Sequence, residues 1–193
     1  MTDAKAYREQ LQELRRKAPK GQQGLVLVYT GDGKGKTSAA LGTALRAVGA
    51  GWRVAFLQFM KGAWKSAEEN VIPLFGDQWL LRKLGRGFTW EHESLEEDRQ
   101  AAQEAWAEAV QILQSGQYEL VVLDEINYVL HYGFLDVEEV LDALRARPAH
   151  VHVVCTGRNA PEALVSFADL VTEMRKVKHP FDQGILAQQG IDY

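Results

Sequence analysis

Cysteine is almost missing from this chain: Cys155 is the only one. An internal disulfide is thereby excluded, and so is a metal centre built on several thiolates. Cys155 stands in an apolar, strand-like run, which predicts a buried and inert thiol. No apolar stretch approaches the ~20 residues that a membrane-spanning helix needs. The N-terminus is charged and lacks the core of a signal peptide, so a cytoplasmic protein with no membrane partner is expected. Positive charge is not in excess. A formal net charge of −4 argues against nucleic-acid binding through bulk electrostatics, although local basic pockets are not excluded. Low-complexity tracts and internal repeats are absent too. What remains, 46% hydrophobic and 25% charged over 193 residues, is ordinary globular composition and long enough for one full core.

The apolar run 25–29 leads straight into Thr30-Gly31-Asp32-Gly33-Lys34-Gly35-Lys36-Thr37-Ser38, and an alanine-rich helical stretch follows. Glycines let successive N–H groups turn inward on one anion. The following helix adds the positive end of its dipole, Lys36 adds a full charge, and Thr37 places a hydroxyl for a magnesium ion. The usual loop has four residues between its first glycine and Gly-Lys-Thr. Only Asp32, Gly33 and Lys34 intervene here, so this loop is tighter and carries an extra lysine. A ligand-free turn is the bland alternative; the unbroken order of strand, loop, Lys-Thr and helix speaks for a nucleoside triphosphate. Asp32 brings a carboxylate to the phosphates. It either disfavours the anion or turns outward to the loop backbone.

Tyr7, Leu11, Leu14 and Ala18 recur at helical spacing in a charged segment, predicting an amphipathic helix over 4–18 that Pro19, Lys20 and Gly21 set apart. Residues 1–20 therefore read as a detached element that packs on its own subunit, covers a ligand or docks a partner. Residues 21–193 read as a single domain. Its pattern predicts a helix over 37–49, a strand over 53–59 and an irregular stretch over 60–87 with a short helix after Ser66. A long helix runs from Ser94, with Glu97 completing a capping box, to Gly116. A strand over 120–123, a helix capped by Asp136 with Glu139, a strand over 150–155, a helix over 161–168 and a strand over 170–174 complete the chain. Apolar rather than alternating strands, interleaved with helices, predict an α/β fold with a mostly parallel sheet covered on both faces.

The strand over 120–123 delivers Asp124 and Glu125 at its C-terminal end, where ligands bind in open parallel sheets. Such a pair is often only a helix N-cap. Beside a lysine loop it reads as a magnesium site shared with Thr37. Arg158, after Thr156-Gly157, is placed to reach phosphate or to lie on the surface. Phe88 and Trp90 share one face at i, i+2 spacing, which by pattern alone favours core. Trp64 reads as core or pocket lining, and His179, before Pro180, as a solvated loop residue. The acidic residues of the long helix (Glu96, Glu97, Asp98, Glu104, Glu108) read as a solvated face.

Taken together, TGDGKGKTS, the run QFMKG, the acidic pair in VVLDEINY, the segment GFTWE, Thr156-Gly157-Arg158 and the HPFDQG and GIDY ending resemble the P-loop type of ATP:corrinoid adenosyltransferases. The resemblance runs in order from residue 25 to the C-terminus. It implies a P-loop NTPase-like (RecA-like) three-layer fold. It also implies an enzyme whose substrates are ATP and a cobalt corrinoid, cobalamin or cobinamide in type, reduced to Co(I). Cobalt attacks the ribose 5′-carbon and triphosphate leaves, so the protein supplies no nucleophile. By resemblance, Gly31, Asp32, Gly33, Lys34, Gly35, Lys36, Thr37, Ser38 and Arg158 bind nucleotide. Thr37, Asp124 and Glu125 hold Mg²⁺, Lys36, Thr37 and Glu125 carry catalysis, and Phe88 with Trp90 lies beneath the corrin. The nucleotide is expected to lie reversed in the loop. A homodimer and a flavoprotein reductant are expected, and no nucleic acid. A P-loop kinase or ATPase, and a nucleotide-switched interaction module, are the alternatives.

Overall fold

Short apolar runs without alternation make the strands that carry this protein. The computed structural model describes residues 23–60, 66–85 and 95–192, together with Arg8, Gln12 and Glu13. Its elements are β1 (Val26–Thr30), α1 (Lys36–Gly49), β2 (Val54–Gln58), β3 (Trp79–Lys83), α2 (Leu95–Gln114) and β4 (Leu120–Asp124). There follow α3 (Ile126–His131), α4 (Val137–Ala146), β5 (His152–Thr156), α5 (Glu162–Phe167) and β6 (Leu170–Glu173). Two consecutive 3₁₀ segments, Ala67–Asn70 and Ile72–Gln78, precede β3.

The six strands form one sheet in the order β3-β2-β4-β5-β1-β6, and every pairing is parallel. β2 and β4 are buried along their whole length because helices cover both faces. On one face α1 lays Ala40, Ala44 and Ala47 over Phe56, Val122 and Val154. Small side chains there let the helix lie close to the sheet. On the other face Ala55, Leu57, Val121 and Leu123 meet Trp106, Ala109 and Leu113 of α2 and Val140 and Leu144 of α4. Each fully buried Leu or Val contributes about 1.5–3 kcal/mol to this core. The result is the expected three-layer α/β architecture. β5 separates the loop-bearing β1 from the acidic β4, and all three strands end at the same edge.

Boundaries fall within a residue or two of those predicted. β3 is the main departure: it lies inside the stretch read as irregular. Its apolar run, Trp79-Leu80-Leu81, ends after three residues at Arg82 and Lys83, only Trp79 is buried, and pairing with β2 makes it a strand. The short helix α3 was not anticipated either. Ser66 does begin a helical turn, a 3₁₀ one, closed by a capping box in which its N–H donates to Glu69 Oε1 at 2.8 Å. Asp136 caps α4 by accepting from the Glu138 N–H at 2.8 Å, without Glu139. On α2, Glu96, Glu97, Glu104 and Glu108 are exposed as expected, whereas Asp98 is buried. β6, read only as the last strand of a sheet covered on both faces, is an edge strand exposed at all four positions.

Cys155 is buried, and burial pushes its thiol up to about 12. Among the described residues no helix is long and apolar enough to cross a membrane. Arg8, Gln12 and Glu13 are helical and exposed. The remaining positions of the 4–18 helix, including Tyr7, Leu11, Leu14 and Ala18, lie outside the described residues, as do Trp64 and Ser94.

Candidate functional site

The C-terminal ends of β1, β4 and β5 converge on the loop 31–35. Gly31 and Gly35 take φ of 91° and 108°, conformations open to glycine and strained for other residues. A Cβ on Gly31 or Gly33 would also come within 2.6–2.7 Å of the Met174 carbonyl oxygen. That contact is used: the Gly33 N–H donates to Met174 O at 2.6 Å, pinning the loop to the chain just beyond β6. The turn then feeds α1, whose first N–H groups have no partner within the helix.

Lys36 folds back over the loop. Its Nζ donates to the carbonyls of Gly31 at 2.7 Å and Gly33 at 2.6 Å. Burial, and then the nearby Arg158 guanidinium, holds its ammonium below the ordinary lysine range. Thr37 reaches across to β4, where its Oγ1 donates to Asp124 Oδ1 at 3.0 Å. The same carboxylate oxygen accepts from Thr156 Oγ1 at 2.7 Å, and the Thr156 hydroxyl in turn accepts from the Glu125 N–H at 2.9 Å. Asp124 and Thr156 are both fully buried. One threonine therefore fixes both acidic residues.

Glu125 holds φ of 66°, in the left-handed region that non-glycine residues seldom occupy. Such positions cost about 1–3 kcal/mol and cluster at functional sites. Here the conformation starts α3 directly after β4. Behind it, Asn127 Nδ2 donates to Gly157 O at 3.0 Å, tying the start of α3 to the end of β5.

A cavity of about 220 Å³ opens between these elements, lined by Lys34, Lys36, Thr37, Ser38, Glu125 and Arg158, among others. Ile191 and Asp192 of the C-terminal tail close one side. Asp192 forms an ion pair with Lys34, and that contact with the Gln188 N–H holds its carboxyl below the usual carboxylate range. Asp32, left open by the sequence, turns away. It is exposed and lines a neighbouring cavity of about 640 Å³ with Lys176, His179 and Asp182, Arg158 standing between the two spaces. His179 accepts from the Phe181 N–H at 3.1 Å through Nδ1; it lies in a loop as expected but is half-buried against that second cavity rather than fully solvated.

The structure thus gathers Gly31, Gly33, Lys34, Gly35, Lys36, Thr37, Ser38, Asp124, Glu125 and Arg158 at one sheet edge. Phe88 and Trp90 lie outside the described residues. Thr156, Tyr128 and Asp192 were given no site role by sequence reasoning, although they stand in the Thr156-Gly157-Arg158, VVLDEINY and GIDY segments that carry the resemblance. For a metal, the donors fit magnesium: Thr37 hydroxyl and Asp124 carboxylate already touch, and both are hard oxygens. Among the described residues no group of three or more His, Cys, Asp or Glu could hold an ion unaided. Magnesium, which takes a carboxylate or two plus phosphate oxygens and water, does not require one.

Comparison with known proteins bears on what this cavity serves. Residues 22–193 match the family model described as ATP:corrinoid adenosyltransferase BtuR/CobO/CobP. The corrinoid adenosyltransferase CobA of Salmonella typhimurium is 44% identical over 89% of this chain and 87% of its own length. A corrinoid adenosyltransferase of Pseudomonas aeruginosa is also 44% identical, over 89% of this chain and 85% of its own. One from Sinorhizobium sp. is 42% identical over 100% of this chain and 89% of its own. The flagellar accessory protein FlaH of Methanocaldococcus jannaschii shares the fold, with a TM-score of 0.53 over 84% of this chain and 76% of its own, at 10% identity. With the lysine loop and paired carboxylates at one sheet edge, and these matches along almost its whole length, the chain belongs to the ATP:corrinoid adenosyltransferase family.

Proposed function

We propose that the 220 Å³ cavity holds the triphosphate of ATP as a leaving group while a Co(I) corrinoid attacks the ribose 5′-carbon. The observation that carries this is that Lys36 and Thr37 line one anion-sized space, with the Asp124 carboxylate bonded to Thr37 behind it. In the transfer, the cobalt electron pair forms the Co–C5′ bond and the C5′–O bond breaks onto triphosphate. No proton moves, so no general base is required. The chain's work is to align C5′ and to neutralise charge on the departing oxygens.

Lys36 exchanges its two carbonyl partners for phosphate oxygens. Lys34 and Arg158 add charge from the lining of the cavity, and the loop amides donate along the phosphates. Thr37, Asp124 and Glu125 would hold Mg²⁺, which when bound offsets negative charge on the phosphates. Phe88 and Trp90, by the resemblance, would serve as an apolar floor for the corrin. By excluding water and offering no axial donor, such a floor makes Co(I) accessible. A homodimer, a flavoprotein reductant, a cytoplasmic setting, and a lid role for residues 1–20 ahead of a single domain over 21–193 complete the proposal. The homodimer and the reductant rest on the resemblance, the setting on the charged N-terminus, and the division of the chain on the break at Pro19, Lys20 and Gly21.

The test is direct. Protein incubated with ATP, magnesium and chemically reduced cobalamin should convert the corrin spectrum to that of the adenosylated form and release triphosphate. Release of ADP in its place would refute the proposal and favour a kinase or ATPase.

A further inference from the structure

Gln58 is the last residue of β2. It is completely buried, yet among the described residues neither Oε1 nor Nε2 has a hydrogen-bond partner. A buried amide in that state is costly, and native proteins tolerate few of them. Its position supplies the reason. Gln58 pairs in register with Asp124, and alternation puts it on the α1 face with Phe56, the face from which Asp124 meets Thr37. Neighbouring strands lie about 4.8 Å apart, so the carboxamide lies one strand from the Asp124 carboxylate.

Gln58 does not need its side chain to hold the strands together. Its backbone carbonyl is occupied by the N–H groups of Leu84 and Gly85, at 2.9 and 3.3 Å, so β2 and β3 hold together without the side chain. An apolar residue would serve the core beneath α1 better.

We infer that Gln58 is a positioning residue whose carboxamide is kept open for a water in the coordination shell of the ion held by Thr37 and Asp124. This rests on the metal assignment proposed above. A carboxamide suits the task because it can accept from a metal-bound water without adding negative charge beside Asp124.

The experiment compares wild type with Gln58→Met, a substitution of similar shape and no polar atom. Thermal unfolding of each protein is paired with calorimetric titration of ATP, once with magnesium and once with a chelator. The free variant should melt about 2–4 °C higher, since an unsatisfied buried amide has gone. Its affinity for ATP with magnesium should fall about tenfold, the effect of one hydrogen bond to a charged centre. Its affinity for metal-free ATP should match wild type. Equal losses in both titrations, or no loss in either, would overturn the inference, as would a lower melting temperature for both Gln58→Met and Gln58→Leu. A wild-type protein indifferent to magnesium would remove the metal assignment as well. A magnesium effect undiminished in the variant would remove this inference alone.

Discussion

Thr156 offers the sharpest test of how the acidic pair is held. Its hydroxyl donates to Asp124 Oδ1 at 2.7 Å and accepts from the Glu125 N–H at 2.9 Å, and the residue is fully buried. Thr156→Val keeps the shape of the side chain and removes both bonds. A hydrogen bond to a charged group is worth about 1.5–3 kcal/mol, and a stranded buried donor adds about 1–3 kcal/mol. Some relaxation of the Glu125 backbone lowers the sum, so a loss of about 2–4 kcal/mol in unfolding free energy is expected. Urea denaturation followed by tryptophan fluorescence would measure it, with an unchanged m-value as the check that only stability moved. Because Asp124 and Glu125 lose their common anchor, ATP affinity with magnesium should fall as well. A variant within about 0.5 kcal/mol of wild type would refute the reasoning, since that is the range of surface substitutions away from any such feature.

Further predictions concern the lysine, the thiol and the aromatic pair. Lys36→Ala should abolish measurable ATP binding in calorimetry; wild-type affinity would refute the P-loop assignment. Lys36 is depressed below 10.5 in the free protein, and a phosphate partner favours its charged form. ATP affinity should therefore decline as pH rises through that lowered pKa, with proton uptake on binding in the same window. Affinity that stays flat to pH ~10.5, the ordinary lysine value, would contradict this. Cys155, pushed up to about 12 by burial, should react with a thiol reagent only at the rate of global unfolding. Fast labelling of the native protein would show that β5 opens locally. Trp90→Ala should impair adenosylation starting from Co(II) corrinoid with a protein reductant and largely spare the reaction with preformed Co(I). Equal losses would assign Trp90 to the fold.

What the sequence disclosed was local. The strand, turn and helix around Gly31–Ser38 are contiguous, so composition and order revealed them, and Asp124-Glu125 followed from its place after an apolar run. The bonds that shape the site are not local. Thr156 lies 32 residues from Asp124 and Thr37 lies 87 away, and only the β5–β4–β1 neighbourhood brings them together. β3 escaped for a related reason, since its apolar run stops after Trp79, Leu80 and Leu81 and its extended conformation is fixed by pairing with β2. The pairing of Lys34 with Asp192 joins a loop to a tail over 150 positions away in the chain. No spacing rule reaches that far. Gln58 was in plain view within QFMKG, but its missing partners are a property of packing alone.

The clasp between Gly33 and Met174 gives the sheet edge a second office. β6 borders solvent on its outer side and buries none of its four positions, so it should be the first strand to peel away on warming. When it lifts, the phosphate loop loses its wall and the Asp192 contact together. Nucleotide should therefore dissociate in a step that precedes melting of the central strands, and bound ATP should in turn slow amide exchange across residues 170–174.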